Sequence, residues 1–198
     1  MPPIERLLKE LDGIWPLKRP QKIRLDIIGS GALMLQSDYT RSTKDGDVFE
    51  LKPLEELVRK TLLDLAGKKS RLQAKLHMYL DIVPNGLPLL PARPLFHRIA
   101  LSKNLEHFEL RALDPVDVAV SKLPRFNAND RTDVQSMIER GLISHQRLIA
   151  RFRDAVDRFA MDARAELLPK YIERLHSIEH AFFNLPPTPF DLPDWMDR

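Results

Sequence analysis

The chain has 198 residues, 43% apolar and 30% charged, with a net charge of +3 and no cysteine. That length allows one domain or two small ones with a real core, and the missing cysteines exclude disulfides and thiolate metal sites. No apolar run approaches the roughly 18–20 residues that cross a membrane, and the acid-bearing start MPPIERLLKELDG lacks a signal-peptide core, so a cytoplasmic protein with no membrane partner is expected.

Residues 4–12 pattern as a short amphipathic helix, and Pro16 and Pro20 bracket a loop. IRLDII, 23–28, is β-rich and predicts a strand. A helix follows over 30–37, with Ser30 placed as its N-cap. Residues 46–51 predict a second strand. Pro53 suits the first turn of a helix over 53–66, with Leu54, Leu57, Val58, Leu62 and Leu65 on one face and Gly67 at its end.

KLHMYLDIV, 75–83, alternates: Leu76, Met78, Leu80 and Ile82 point one way, and Lys75, His77, Tyr79, Asp81 and Val83 the other. Period two predicts a half-buried strand with a polar face. A Pro-rich loop covers 84–94, and 96–101 with 106–112 read as a hairpin through Ser102-Lys103-Asn104. Asp114-Pro115 opens a helical region, with helices expected over 115–123, 130–140, 144–164 and 169–184. Leu148, Phe152, Ala155, Val156 and Phe159 on one helix, and Ile172, Leu175, Ile178 and Phe182 on another, form core stripes. Pro169 starts the last helix, and the tail LPPTPFDLPDWMDR is extended. The fold class is α+β, a mixed sheet with helices over 1–113 and a helical part over 114–198.

Three basic clusters could meet nucleic-acid phosphates: Lys18-Arg19 with Lys22 and Arg24, Lys68-Lys69-Arg71-Lys75, and Arg147-Arg151-Arg153. Such runs are more often a solvated face. His176 and His180, four apart on a helix, have zinc-compatible spacing, but the metalloprotease HExxH order is absent.

The chemistry concentrates in IIGSGALMLQSDYTRSTKDGDVFEL, 27–51. A helix N-terminus offers free N–H groups and a positive dipole end to phosphates. Gly29 and Gly31 let the backbone come close, and the Ser30 hydroxyl adds a donor. Asp45 and Asp47, two apart on a strand, share a face at about 7 Å, an arrangement suited to Mg²⁺ or Mn²⁺ through hard oxygen ligands. Asp81, on the polar face of its own strand, can complete a three-acid site if the strands are neighbours. Such a trio should gather in an open cleft. Asp-Gly-Asp alone is a common turn sequence; the Gly-Ser turn and the apolar-flanked third acid give it weight.

With these residues the chain resembles the nucleotidyltransferase superfamily, of polymerase-beta-like fold. The pattern is carried by Ile28-Gly29-Ser30, Asp45-Gly46-Asp47 and Asp81, with Gly46 standing where the family has an apolar residue. The words GALML and RSTKDGD, with Arg41 and Thr43 at the basic and hydroxyl positions, are similar to small bacterial nucleotidyltransferase-like proteins, a group that includes the toxin enzymes of abortive-infection toxin–antitoxin systems. LDPVDVAVSKLPRFNANDRTDV, 113–134, resembles the family's helix pair carrying a Lys and an Asp-x-x-Asp, here Lys122, Asp130 and Asp133.

The resemblance implies a nucleotidyltransferase-like mixed sheet. It assigns Asp45, Asp47, Asp81 and Lys122 to catalysis, and the three first-named acids to the metal. Gly29, Ser30, Arg41, Thr43, Asp130 and Asp133 fall to the nucleotide. It implies transfer of a nucleoside monophosphate from an NTP to an RNA or protein hydroxyl, and a cognate antitoxin protein as partner. Two rivals share the fold: a non-catalytic nucleotide-binding or partner-binding module, and a small-molecule nucleotidyltransferase of the antibiotic-modifying type.

Overall fold

The computed structural model describes residues 1–159 and 162–190. Strands β1 (Ile23–Ile28), β2 (Asp45–Glu50), β3 (Tyr79–Pro84), β4 (Phe96–Arg98) and β5 (Phe108–Leu113) form one sheet in the order β3-β2-β1-β5-β4. β1 runs antiparallel to β2 and parallel to β5, β2 is parallel to β3, and β4 is antiparallel to β5. The chain divides into two compact units. Met1–Gly86 with Leu95–Asp114 carries the sheet, and Leu87–Pro94 groups with the helices from Pro115 onward. This is an α+β fold with a mixed sheet.

Side chains alternate across a strand, so paired residues face the same way. One face of the sheet carries Leu25, Ile27, Val48, Leu80, Phe108 and Leu110, all buried. The helices of this unit are α1 (Pro3–Gly13), α2 (Gly29–Gln36), α3 (Glu56–Ala66) and α4 (Arg71–Leu76). α1 contributes Ile4, Leu7, Leu8 and Leu11, each at zero exposure. Each such buried side chain stabilises by about 1.5–3 kcal/mol. Asp12 fixes the end of α1, its carboxylate accepting the N–H groups of Glu106 and His107 at 2.8 Å each.

Gly46 lies on this apolar face. A Cβ there would fall 2.5 Å from Cδ1 of Ile4 and 3.2 Å from Cδ2 of Leu80. The space an apolar residue would fill between the two acids is taken by Ile4, reaching in from α1.

Several boundaries differ from the sequence expectation, each for a local reason. Ser30 is not the N-cap of α2: the helix begins at Gly29 and Ile28 holds the cap position. Pro53 lies outside α3, because the Glu50 carboxylate accepts the Leu54 N–H and keeps that stretch a loop. Leu57, expected on the buried face, is 52% exposed. β3 begins at Tyr79 rather than at residue 75, since 71–76 form α4. Ser70 caps it by accepting the Gln73 N–H at 3.1 Å, and left-handed His77 (φ 56°) ends it. Ser70-Arg71-Leu72-Gln73 carries the Ser-x-x-Gln capping signature of this helix. Ala100–Asn104, between β4 and β5, is a 3₁₀ turn.

The second unit holds α5 (Pro115–Lys122), α6 (Ala128–Glu139), α7 (His145–Phe159) and α8 (Leu168–Ile178). α5 packs on both α6 and α7. The stripes Leu148, Phe152, Ala155 and Phe159, and Ile172, Leu175 and Ile178, are buried as their spacing dictates, while Val156 and Phe182 are only partly covered. Pro169 does sit in the first turn of α8. α7 ends at Phe159 rather than reaching residue 164, since 162–164 form a bend and turn, with the Arg164 N–H donating back to the Asp162 carboxylate. Residues 160–161 and, of the expected extended tail, 191–198 lie outside the described residues. After Ile178 the helix loosens into one π-turn, Glu179–Phe183. Among the described residues no helix is long and apolar enough to cross a membrane.

Candidate active site

The other face of the sheet is polar. Register places Ile28 opposite Asp47, Asp47 opposite Asp81, and Asp45 opposite Tyr79. Three of the acids singled out in the sequence therefore stand on one face of two adjacent strands. β1 ends at the same level, where the chain turns at Gly29 into α2.

Gly29 adopts φ +61°, a left-handed conformation that glycine takes at no steric cost. A Cβ on it would lie 2.9 Å from Oδ2 of Asp47. The turn and the carboxylate thus touch, and only glycine leaves room between them. Ser30 is 9% exposed. Its hydroxyl accepts a hydrogen bond from Nη2 of Arg41 at 2.6 Å, which brings a guanidinium to the turn. Thr43 donates its hydroxyl to Oδ1 of Asp45 at 2.8 Å and orients that carboxylate.

Asp81 is engaged differently. Its Oδ1 accepts its neighbour Ile82's N–H at 3.0 Å, and its Oδ2 lies 3.7 Å from Nζ of Lys68. Lys68 also covers the Tyr79 ring at 5.1 Å. Tyr79 first, and Asp81 after it, hold the Lys68 ammonium above the ordinary lysine pKa. Among the described residues no group of three or more His, Asp or Glu side chains is gathered closely enough to hold a metal. The donor chemistry nevertheless fits Mg²⁺, which takes carboxylate oxygens: Asp45 and Asp47 share a strand face, and Asp81 is one strand away.

The second unit assembles the other predicted residues. Lys122, 6% exposed, places Nζ 2.9 Å from both Asp130 and Asp133, which are fully buried. Arg125 adds two hydrogen bonds to Asp130, at 2.8 and 2.7 Å. Asp130 also closes a capping box with Asn127 at the start of α6. Burial pushes the Asp130 carboxyl up, but Arg125 and Lys122 outweigh it and hold the pKa far below the usual range. The cluster ties α5 to α6. His176, weighed for zinc, meets the carbonyl oxygen of Thr188 at 2.9 Å instead.

Sequence reasoning missed Asp26. It sits on the same sheet face as Asp47, is 4% exposed, and receives Arg111 through two hydrogen bonds of 2.8 and 3.0 Å. Its signal was visible: one acid inside the apolar strand IRLDII needs a partner to be buried.

A mixed sheet whose Gly-Ser turn abuts a pair of strand carboxylates, with a third acid in register, defines a nucleotidyltransferase-like protein. A family model described as a nucleotidyltransferase of unknown function (DUF6036) matches residues 5–182, and the chain belongs to that family. No curated protein and no solved structure matches it.

Proposed function

We propose that the chain transfers a nucleoside monophosphate from an NTP to a hydroxyl acceptor. The acceptor oxygen bonds to the α-phosphorus, the bond from that phosphorus to the β-phosphate oxygen breaks, and pyrophosphate leaves. The observation that carries this is the contact of the Gly29 turn with Asp47. It sets the N-terminus of α2 beside a strand carboxylate, which supports phosphate and metal binding there. Gly29 and Ser30 cradle the triphosphate, Arg41 adds positive charge to it, and Thr43 orients Asp45.

Asp45 and Asp47 would hold Mg²⁺ or Mn²⁺, which supplies charge neutralisation at the transferring and leaving oxygens. Asp81 takes the acceptor proton or joins the metal site once Lys68 yields it. Lys122, Asp130 and Asp133 tie α5 to α6 within the helical unit. The same chemistry fits a toxin restrained by a cognate antitoxin, acting on RNA or a protein side chain. A non-catalytic module remains the second reading, favoured by one observation: Asp81 is engaged by Lys68.

Incubation with labelled NTP, Mg²⁺ and cell extract tests the proposal. Wild type should label an acceptor, and Asp45→Ala or Asp47→Ala should abolish labelling with the fold intact. Equal labelling by wild type and variants would sink the assignment.

A further inference from the structure

Tyr79 stands among the acids. Register pairs it with Asp45 across β2 and β3, strands that lie about 4.8 Å apart. It shares its strand and its sheet face with Asp81, two residues on. The Lys44 carbonyl accepts its N–H at 2.9 Å, and its side chain is partly exposed. Lys68 links the ring to the third acid. Its Nζ lies 5.1 Å from the ring centroid, within hydrogen-bonding reach of the phenol, and 3.7 Å from Oδ2 of Asp81. One ammonium therefore holds a phenolic hydroxyl and a carboxylate that can take its proton on the same face of one strand.

The strand order gives the direction of attack. In a phosphoryl transfer the attacking and leaving oxygens lie roughly in line across the phosphorus. The Gly29-Ser30 turn follows β1, Asp45 and Asp47 stand on β2, and Tyr79 and Asp81 stand on β3, in the order β3-β2-β1. With the triphosphate at the turn and the α-phosphorus at the β2 acids, pyrophosphate leaves on the β1 side and the nucleophile arrives from the β3 side. Two other hydroxyls near the acids are placed differently. Ser30 belongs to the turn, where it accepts from Arg41, and Thr43 donates to Asp45 at 2.8 Å. Tyr79 carries its hydroxyl on the attacking side.

We propose that Tyr79 is itself an acceptor, so that the chain nucleotidylates its own phenol in cis. This rests on the transferase reading above and names a substrate of that same site. The phenol oxygen bonds to the α-phosphorus. The bond from that phosphorus to the oxygen bridging to the β-phosphate breaks, and its electron pair leaves on pyrophosphate. The phenolic proton passes to the Asp81 carboxylate, and the product is a phosphodiester on Tyr79.

The test incubates the purified full chain, without extract, with Mg²⁺ and each NTP labelled at the α- or the γ-phosphate. Wild type should take up α-label and no γ-label, and should gain the mass of one nucleoside monophosphate. Peptide fragmentation should place that mass on Tyr79. The labelling rate per molecule should not change on dilution of the protein, as a cis reaction requires. Tyr79→Phe keeps the ring and should lose the label, and Asp47→Ala should lose it too.

Label that persists in Tyr79→Phe or maps to another residue overturns the proposal. So does uptake of γ-label, and so does a rate per molecule that falls with dilution. A parallel incubation with cell extract separates the proposal from the transferase reading. Extract acceptors labelled by a wild type that carries no label itself overturn self-modification and leave the transferase standing. No label with or without extract overturns both. Localisation on wild type needs no variant, so it decides the matter even if Tyr79→Phe fails to fold.

Discussion

The α-carbon of Gly29 and the carboxylate of Asp47 are in such close approach that one added methyl would sit 2.9 Å from Oδ2. Gly29→Ala should therefore do two things. The left-handed φ of +61° costs an L-residue about 1–2 kcal/mol of stability. The methyl also displaces Asp47 from its place beside the turn, which should reduce transfer far more than the stability loss implies. Urea unfolding gives the first number and single-turnover labelling the second. Full activity in a variant destabilised by this amount would separate the turn from the chemistry.

Nucleotide binding should be visible as stability. A ligand that binds only the native state adds about 2.7 kcal/mol at a hundredfold excess over its Kd. NTP with Mg²⁺ should raise the melting temperature of wild type, and EDTA should remove the gain. On the proposed function, Asp47→Ala should show little shift, since the proposed metal site loses a carboxylate. The absence of a shift with all four NTPs would count against a working nucleotide site.

The strands and the acids were legible because period-two alternation and a Gly-Ser turn are local signals. IRLDII announced β1, and the alternation around Asp81 announced β3. What was not legible depends on partners distant in sequence. Nothing near Gly46 shows that Ile4, from the first helix, fills its missing side chain. Nothing near Asp81 shows that Lys68 would claim it. Residues 75–76 read as strand because Leu76 continues the alternation of Met78 and Leu80. The capping Ser70 and the reversal at His77 place them in a helix. Lys122, Asp130 and Asp133 were found as a group, but their burial against one another is a property of helix packing that spacing alone does not carry.

The glycine between the acids gives a packing test independent of catalysis. Gly46→Ala forces a Cβ to 2.5 Å from Cδ1 of Ile4, so the core must shift. Overpacking of this kind costs about 1–3 kcal/mol. Ile4→Val alone, which removes that methyl, should cost about 0.5–1.5 kcal/mol. Combined, the two should cost less than their sum, because the clashing atom is gone. A double-mutant cycle by urea unfolding measures the coupling. Strict additivity would mean that α1 does not pack on Gly46 as described.

The π-turn after α8 predicts an acid-labile helical unit. Glu179 is fully buried, and its carboxylate accepts from Nε2 of His145 at 2.7 Å, from the Thr188 N–H at 3.0 Å and from the Thr188 hydroxyl. Burial by itself would raise its pKa, but His145 and Thr188 together outweigh burial and lower it below 4.5. A depressed folded-state pKa means that the unfolded chain takes up the proton first. The stabilisation is therefore fully present above the unfolded value and is lost as pH falls through about 4.5 and then through the lower folded pKa. Glu179→Gln keeps the shape and removes the charge. It should lose about 1.5–3 kcal/mol at pH 7, the worth of hydrogen bonds to a charged group, and should flatten the fall in stability below about pH 5. Thermal melts of both proteins across that range decide it. Parallel profiles, with the variant displaced by a constant amount, would show that Glu179 does not titrate with folding.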